Sequence, residues 1–311
     1  LMSPEEVTAS APGKVILVGE HFVVLGKPAL VMAIDRRAYV TASRLPGKQI
    51  EVRSEQIADL TPRQVEPILR AARVAQALSG ETQGLRIVVR SEIPPSAGLG
   101  SSAAVAAATA AAVGKLLGRP LSKEETYHAA LEAEKSVHGT PSGVDPAVST
   151  YGGIVLFQRG EPLVRLSATV EIPLIIGNTG IERTTGDLVA RVRALKERYP
   201  QLTAVVSEAA ALIVQGTKEA IEKGDLDRVG DLLNVNHGLL SSVAVSEPTL
   251  ERLVYAARKA GALGAKLTGA GGGGCMIALA QPERLDAVAA AIEASGGVPL
   301  RTRLSQEGVL V

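Results

Sequence analysis

Apolar and polar positions change period several times along the chain. Between residues 15 and 42, short β-branched or apolar runs (15–18, 29–34 and 38–42) are punctuated by Gly26-Lys27-Pro28 and Pro46-Gly47-Lys48. That is the pattern of strands and hairpins. From 61 to 79, Val65, Ile68, Leu69, Ala72 and Ala75 recur at helical spacing behind a Thr61-Pro62 start signal. Residues 85–89 return to strand character. Helices are expected over about 101–117, over 123–137 with Ser122 as N-cap, and in a short piece after Gly143. Residues 154–157 and 172–176 read as strands. The stretch 185–260 is almost continuously helical, with breaks near Pro200, Gly224-Asp225 and Ser246-Glu247-Pro248. A strand, a glycine cluster, a strand over 276–280 and a helix over 282–294 follow. Strands and helices interleave without a regular βαβ rhythm, which favours an α+β fold. The strand-rich half and the helix-rich half divide best near Ser167-Ala168, giving expected domains 1–167 and 168–311.

Composition narrows the function classes. The chain has 311 residues, 46% hydrophobic and 21% charged, enough to bury a sizeable core. Its 33 basic and 32 acidic residues argue against a nucleic-acid or anionic-membrane binder, and five Tyr, two Phe and no Trp leave few platforms for stacking bases. Cys275 has no second cysteine to pair with. No basic segment followed by an apolar run is visible at the start, and the longest apolar run, 103–113, falls short of the roughly 20 residues of a membrane helix. A soluble cytoplasmic protein is expected.

Two glycine-rich segments carry the candidate chemistry. PPSAGLGSSA, residues 94–103, follows a strand and opens an Ala-rich helix. Gly98 and Gly100 would let backbone approach a ligand, and Ser101 and Ser102 stand at a helix N-terminus, where free amides and the dipole favour an anion such as phosphate. The segment is neither a Walker A loop nor GxGxxG, and a tight strand–helix turn would also use these residues. In KLTGAGGGGC, residues 266–275, five glycines fall within six positions, which implies close approach to a ligand or another loop, or else a mobile hairpin. Lys266 could meet a phosphate or lie on the surface. Cys275 reads as a small core residue.

The charged residues add a second layer. Lys14 is the only charge between residues 7 and 18, either a strand-edge charge or one held for a buried anion. Glu20-His21 after Gly19 could form a turn or hydrogen-bond a polyol. Glu134 closes a helix, where a carboxylate needs a cationic partner, while Asp145 lies in a loop or first helical turn that favours its ionised form. A Mg²⁺ ligand and a proton acceptor are roles open to them beside a phosphate loop. His21, His128, His138 and His237 have no zinc spacing with Cys275 or one another, and no GxSxG elbow is present.

Taken in order, APGKVILVGEHFVVLGKPA (11–29), PPSAGLGSSAA (94–104), HGTPSGVDPAVSTYGG (138–153) and KLTGAGGGGC (266–275) resemble the GHMP kinase superfamily. The similarity is greatest to the mevalonate kinases of the compact archaeal or bacterial type. The resemblance implies an α+β fold with an N-terminal domain like domain 2 of ribosomal protein S5 and a ferredoxin-like C-terminal domain. ATP and mevalonate would lie between them as small-molecule partners, with no nucleic acid or membrane involved; a homodimer is compatible with the sequence. It further implies that Asp145 is the base or orienting group for the mevalonate 5-hydroxyl, with Lys14 beside it. The ATP loop would comprise Pro95, Ser96, Ala97, Gly98, Leu99, Gly100, Ser101, Ser102 and Ala103. Ser102 and Glu134 would hold Mg²⁺, while Glu20, His21, Arg183 and Thr185 would fix mevalonate. Gly269, Gly271 and Gly272 would form a loop beside the active site. Phe22-Val23-Val24-Leu25 after Gly19-Glu20-His21 departs from the galactokinase pattern, and homoserine kinases do not normally carry the Lys14 and Asp145 pair. Phosphomevalonate kinase and other GHMP small-molecule kinases are the alternatives, with a non-catalytic metabolite sensor a remote one. Pro146 stands where the animal enzymes usually have Asn, and Gly186 where they carry Arg. Arg183 is then the expected partner of the mevalonate carboxylate: Arg183→Ala should raise KM for mevalonate, and an unchanged KM would remove it from the site.

Overall fold

A computed structural model describes residues 6–95, 97–138, 142–168, 170–181 and 185–311, with the side chains of His138 and Thr185 excepted. The first sheet is built on two long strands. β1 (Glu6–Val18) runs antiparallel along β2 (Ala29–Leu45), while β4 (Gly84–Ser91) and β5 (Ile154–Phe157) pair with opposite ends of β2. β3 (Ile50–Ser54) lies parallel to β4, and β6 (Val164–Leu166) antiparallel to β5. The hydrophobic pattern divides β2 into two strands around Asp35-Arg36-Arg37. The structure makes it one strand of 17 residues, because each of these polar residues finds a partner in the C-terminal part of the chain. Thr302 Oγ1 donates to Asp35 at 2.7 Å, Arg36 to the Arg301 carbonyl, and Arg37 to the carbonyls of Ser10 and Gly308.

Four helices accompany this sheet: α1 (Pro62–Ser79), α2 (Ser101–Leu116), α3 (Lys123–His138) and α4 (Val144–Tyr151). The expected starts hold. Thr61 and Gln64 form a capping box at α1, and the Ser122 hydroxyl accepts from the Glu125 amide while Glu125 reaches back to the Ser122 amide. α2 is buried nearly all round, a character that marks a central helix. Its small Ala103, Ala104, Ala107 and Ala108 allow close packing against β1, whose Ala9 and Ala11 are likewise buried.

The second sheet has the order β10–β7–β9–β8, with every pair antiparallel: β7 (Pro173–Asn178), β8 (Gly264–Thr268), β9 (Cys275–Leu279) and β10 (Val298–Arg303). Between β7 and β8 lie α5 (Thr185–Arg198), α6 (Pro200–Lys223), α7 (Leu226–Ser242) and α8 (Pro248–Lys259), and α9 (Leu285–Ala294) joins β9 to β10. This is the βαββαβ arrangement of a ferredoxin-like unit. The helical breaks fall where expected, with left-handed Gly224 ending α6, Asp225 capping α7 and Glu247 capping α8. β10 escapes the hydrophobic pattern because it pairs only with β7 and carries Pro299, which an edge strand tolerates. No helix among the described residues is long and apolar enough to cross a membrane.

The two sheets are stitched together at the end of the chain. After β10, the backbone bridges Ile34 through Leu304 and Ser10 through Leu310, while Val309 donates to the Thr150 carbonyl. One apolar cluster runs from Val7 through α2 to Ile277 and Leu279 of the second sheet. In the C-terminal part α7 crosses β8 at two glycines: a Cβ on Gly264 would stand 2.1 Å from the Gly230 carbonyl oxygen. Gly264→Ala should therefore cost about 1–3 kcal/mol or more, the range for overpacking, measured as a fall in the urea midpoint. An unchanged midpoint would mean that helix and strand can part freely.

Candidate active site

The register of β1 against β2 slips between Pro12 and Lys14, a bulge of the kind that re-aims a side chain. At this bulge the Lys14 amide donates to the Leu99 carbonyl at 2.8 Å, fastening the strand to the loop before α2. The approach is close on both sides. A Cβ on Gly13 would lie 2.8 Å from Leu99 O, and one on Gly100 2.8 Å from Lys14 Cγ. Ala97, Leu99 and Ala103 anchor the loop in the core, while Pro95, Gly98 and Ser102 face outward. Gly98 and Gly100 take φ of 76° and 75°, a region open to glycine. Gly100 is the N-cap of α2 and no side chain among the described residues caps it, so the amides opening the helix (Ser101, Ser102, Ala103) remain directed at whatever binds there.

Asp145 and Glu134 meet Lys14 from the other side. Gly143, at φ 79°, starts α4 and places Asp145 in its first turn; Pro146 follows at a position that needs no amide hydrogen. Ser149 Oγ ties α4 to β1 by donating to the Pro12 carbonyl at 3.0 Å. Lys14 Nζ then lies 3.3 Å from Asp145 Oδ1, with Lys14 buried and Asp145 partly open. Glu134, in the last turns of α3, accepts from the Gly143 amide, but its Oε2 is shielded from solvent without a hydrogen-bond partner. Burial above all, then the Asp145 charge, push its carboxyl up to about 8, against the pull of Lys14 and the Gly143 amide. Two carboxyl groups share one lysine, so ionising Glu134 would leave a buried negative charge without its own cation, the kind a divalent cation relieves. No group of three or more metal-ligating side chains occurs among the described residues. That donor set fits Mg²⁺, which takes one or two protein oxygens and completes its shell with water and phosphate.

Glu20 and His21, both expected to fix the substrate, also have partners within the protein. Glu20 is 1% exposed and Lys266 fully buried; the two form an ion pair across 246 residues of sequence. The second Glu20 oxygen accepts from Asn236 Nδ2 at 3.1 Å. Both oxygens are thus engaged inside the protein, and Lys266 is neither a surface residue nor directed at a phosphate. His21 Nε2 lies 2.7 Å from the Ala270 carbonyl and therefore carries the hydrogen. His21 sits at φ 59° and ψ −43°, a sparsely populated backbone conformation costing a side-chain-bearing residue about 1–3 kcal/mol. Phe22, next in the turn, is buried in the apolar cluster of the C-terminal part.

The glycine cluster approaches other loops. Gly272 N donates to Val245 O at 2.8 Å and Gly274 N to Ile181 O at 3.0 Å. Cβ atoms on Gly271, Gly272 and Gly273 would collide with Val245 O, Leu188 Cδ1 and Ile181 O respectively. Gly269, at φ 79°, opens the turn. The cluster is thus held from both flanks rather than a free hairpin. Ser96, Arg183 and the side chain of Thr185 lie outside the described residues. The pattern gave no sign of Asn236, Ser149 or the Glu20–Lys266 pairing, since each acts through a contact far away in sequence.

Family comparison bears on this arrangement. The family model "GHMP kinases N terminal domain" matches residues 66–153, "GHMP kinases C terminal" matches 217–297, and the "Galactokinase galactose-binding signature" matches 2–44. A mevalonate kinase of Pyrococcus horikoshii is 44% identical over 98% of this chain and 97% of its own, and one of Aeropyrum pernix is 40% identical over 96% of each. The chain belongs to the GHMP kinase family. Among solved structures, this GHMP kinase superimposes on an L. major mevalonate kinase in complex with R-mevalonate with a TM-score of 0.88, at 31% identity over 98% of this chain and 99% of the other. With the Methanococcus jannaschii mevalonate kinase the TM-score is 0.85, at 26% identity over 96% and 98%. A Lactococcus lactis galactokinase, at 21% identity and TM-score 0.79 over 99% of this chain and 95% of its own, shares the fold.

The raised Glu134 pKa makes a pH prediction. Without metal, the folded protein binds more protons than the unfolded chain between the ordinary value of 4.5 and about 8, so stability from this group is full at low pH and is lost as pH rises through that window. Glu134→Gln should flatten the slope of unfolding free energy with pH there by on the order of 1–3 kcal/mol, less than full linkage because the side chain is only part-buried. Denaturant titrations of both proteins in chelator, at several pH values, measure this; parallel curves would mean that Glu134 titrates normally.

Proposed function

We propose that this GHMP kinase phosphorylates the 5-hydroxyl of mevalonate at the expense of ATP, forming 5-phosphomevalonate for isoprenoid biosynthesis. The observation that carries the reading is the Lys14–Asp145 pair at 3.3 Å beneath the uncapped start of α2, in a chain 44% identical to a protein named mevalonate kinase. Phosphoryl transfer asks a protein for in-line positioning and charge neutralisation rather than covalent work. Asp145 accepts the hydroxyl proton, or aligns it, as the oxygen attacks the γ-phosphorus and the bond to ADP breaks. Lys14 stabilises the negative charge gathering on the attacking oxygen. The amides from Gly98 to Ala103 receive the phosphate oxygens, and Pro95 and Ser96 complete that loop. Mg²⁺, held by Glu134 and Ser102 when bound, supplies charge neutralisation on the phosphates.

In this reading His21, Arg183 and Thr185 face mevalonate, and Glu20 acts from behind the turn. Gly269, Gly271 and Gly272 keep the third-motif loop against the site. The cytoplasm is the compartment the reading implies. A homodimer is the assembly to measure, supported by exposed Leu202, Val205 and Leu212 along α6.

The deciding assay is coupled ADP release with mevalonate, phosphomevalonate, homoserine and galactose offered in parallel. Mevalonate should be the substrate, with NMR locating the phosphate at C5. Asp145→Asn and Lys14→Met should each lower kcat at least ~100-fold, the lower range for losing an acid–base or electrostatic group. Near-normal turnover in purified Asp145→Asn would sink the assignment.

A further inference from the structure

The ion pair between Glu20 and Lys266 has no evident purpose in stability. Two charges taken wholly out of water are often replaceable by packed apolar side chains without loss. What the pair does is geometric. Glu20 lies between Gly19, at φ 99°, and His21, at φ 59°. Gly19 is pressed so tightly that a Cβ would stand 2.5 Å from the Pro28 carbonyl oxygen. The turn continues as Phe22 N to Glu20 O at 2.6 Å and Val23 N to Gly19 O at 3.1 Å. Strained, positive-φ backbone at a histidine persists only where the surroundings over-determine it.

The surroundings come from one segment. Lys266 grips Glu20, Thr268 Oγ1 bonds both the amide and the carbonyl of Ile16, and the Ala270 carbonyl accepts from His21. Residues 266, 268 and 270 thus hold 20, 16 and 21. Lys266 is itself fixed: the next amide, Leu267 N, donates to His237 Nδ1 at 3.3 Å, so His237 Nε2 donates to Glu251 at 3.1 Å, and Ser241 braces Glu251 at 2.8 Å.

We infer that Lys266 is a positioning residue for the acceptor-alcohol site: by holding Glu20 from the C-terminal sheet, it sets the strained turn that presents His21 to the substrate. This rests on the reading of the site as that of a mevalonate kinase. Lys266 touches neither substrate nor the reacting atoms, so its loss acts on the alcohol and leaves the nucleotide side, built by the loop at α2, alone.

The test is a split of kinetic constants. Lys266→Met should raise KM for mevalonate by about tenfold or more while KM for ATP stays within about threefold, because a small misplacement of a positioning group is costly. Since a lone buried Glu20 could unfold the protein, the double variant Glu20→Leu/Lys266→Met removes both charges together. It should regain the wild-type melting temperature yet keep the raised mevalonate KM. A folded double variant with wild-type KM for mevalonate, or one in which both KM values shift together, would overturn the proposal. Mevalonate turnover by the wild type, run alongside, separates this outcome from failure of the site reading: no turnover there overturns both.

Discussion

The candidate site depends on how near α2 lies to β1. Where two elements meet through Ala9 and Ala11 on one side and the alanines of α2 on the other, their backbones come closer than any pair of larger side chains would permit. That proximity lets Lys14 bond the Leu99 carbonyl and brings Gly100 against the lysine stem. A helix end and a cationic side chain are thereby aimed at one space. Preorganisation of this kind is where electrostatic catalysis finds most of its strength.

Charge is apportioned unevenly in the same region. Beside Lys14 two carboxyl groups share a single lysine, and the carboxyl of Glu134 answers with a raised pKa. Behind it, Glu20 and Lys266 neutralise one another completely in the interior. The near-balance of acidic and basic residues in the whole chain therefore hides two local arrangements with opposite logic. One is left unsatisfied until a ligand binds; the other is satisfied permanently and holds shape.

Much of this was legible in sequence because local chemistry determined it. Helix starts at Thr61 and Ser122, the breaks at Gly224-Asp225 and Glu247-Pro248, and the glycines of the α2 loop each signal through neighbours within a few positions. Lys14, Glu134 and Asp145 could be singled out as charges in unusual company, and the family resemblance already set Lys14 beside Asp145, where the fold has it. What escaped was decided at long range. β2 runs on through Asp35-Arg36-Arg37 because partners arrive from residues 301–308, and β10 hides behind a proline. Nothing near Glu20 in sequence announces its pairing with Lys266. The glycine cluster could be read as loose hairpin or tight contact, and only its neighbours at 181, 188 and 245 settle it as contact.

The return of residues 304–310 to the first sheet bears on the order in which the molecule is made. During synthesis β1 and β2 leave the ribosome early, with Arg37 presenting a guanidinium whose carbonyl acceptor at Gly308 does not yet exist. The Thr150 carbonyl at the end of α4 likewise waits for Val309. Lys14 and Asp145 belong to the part of the chain translated first, yet the strand and helix that carry them are fastened by segments translated some 300 residues after β1. A nascent chain therefore carries β1, β2 and α4 through a long interval before the residues that fasten them arrive.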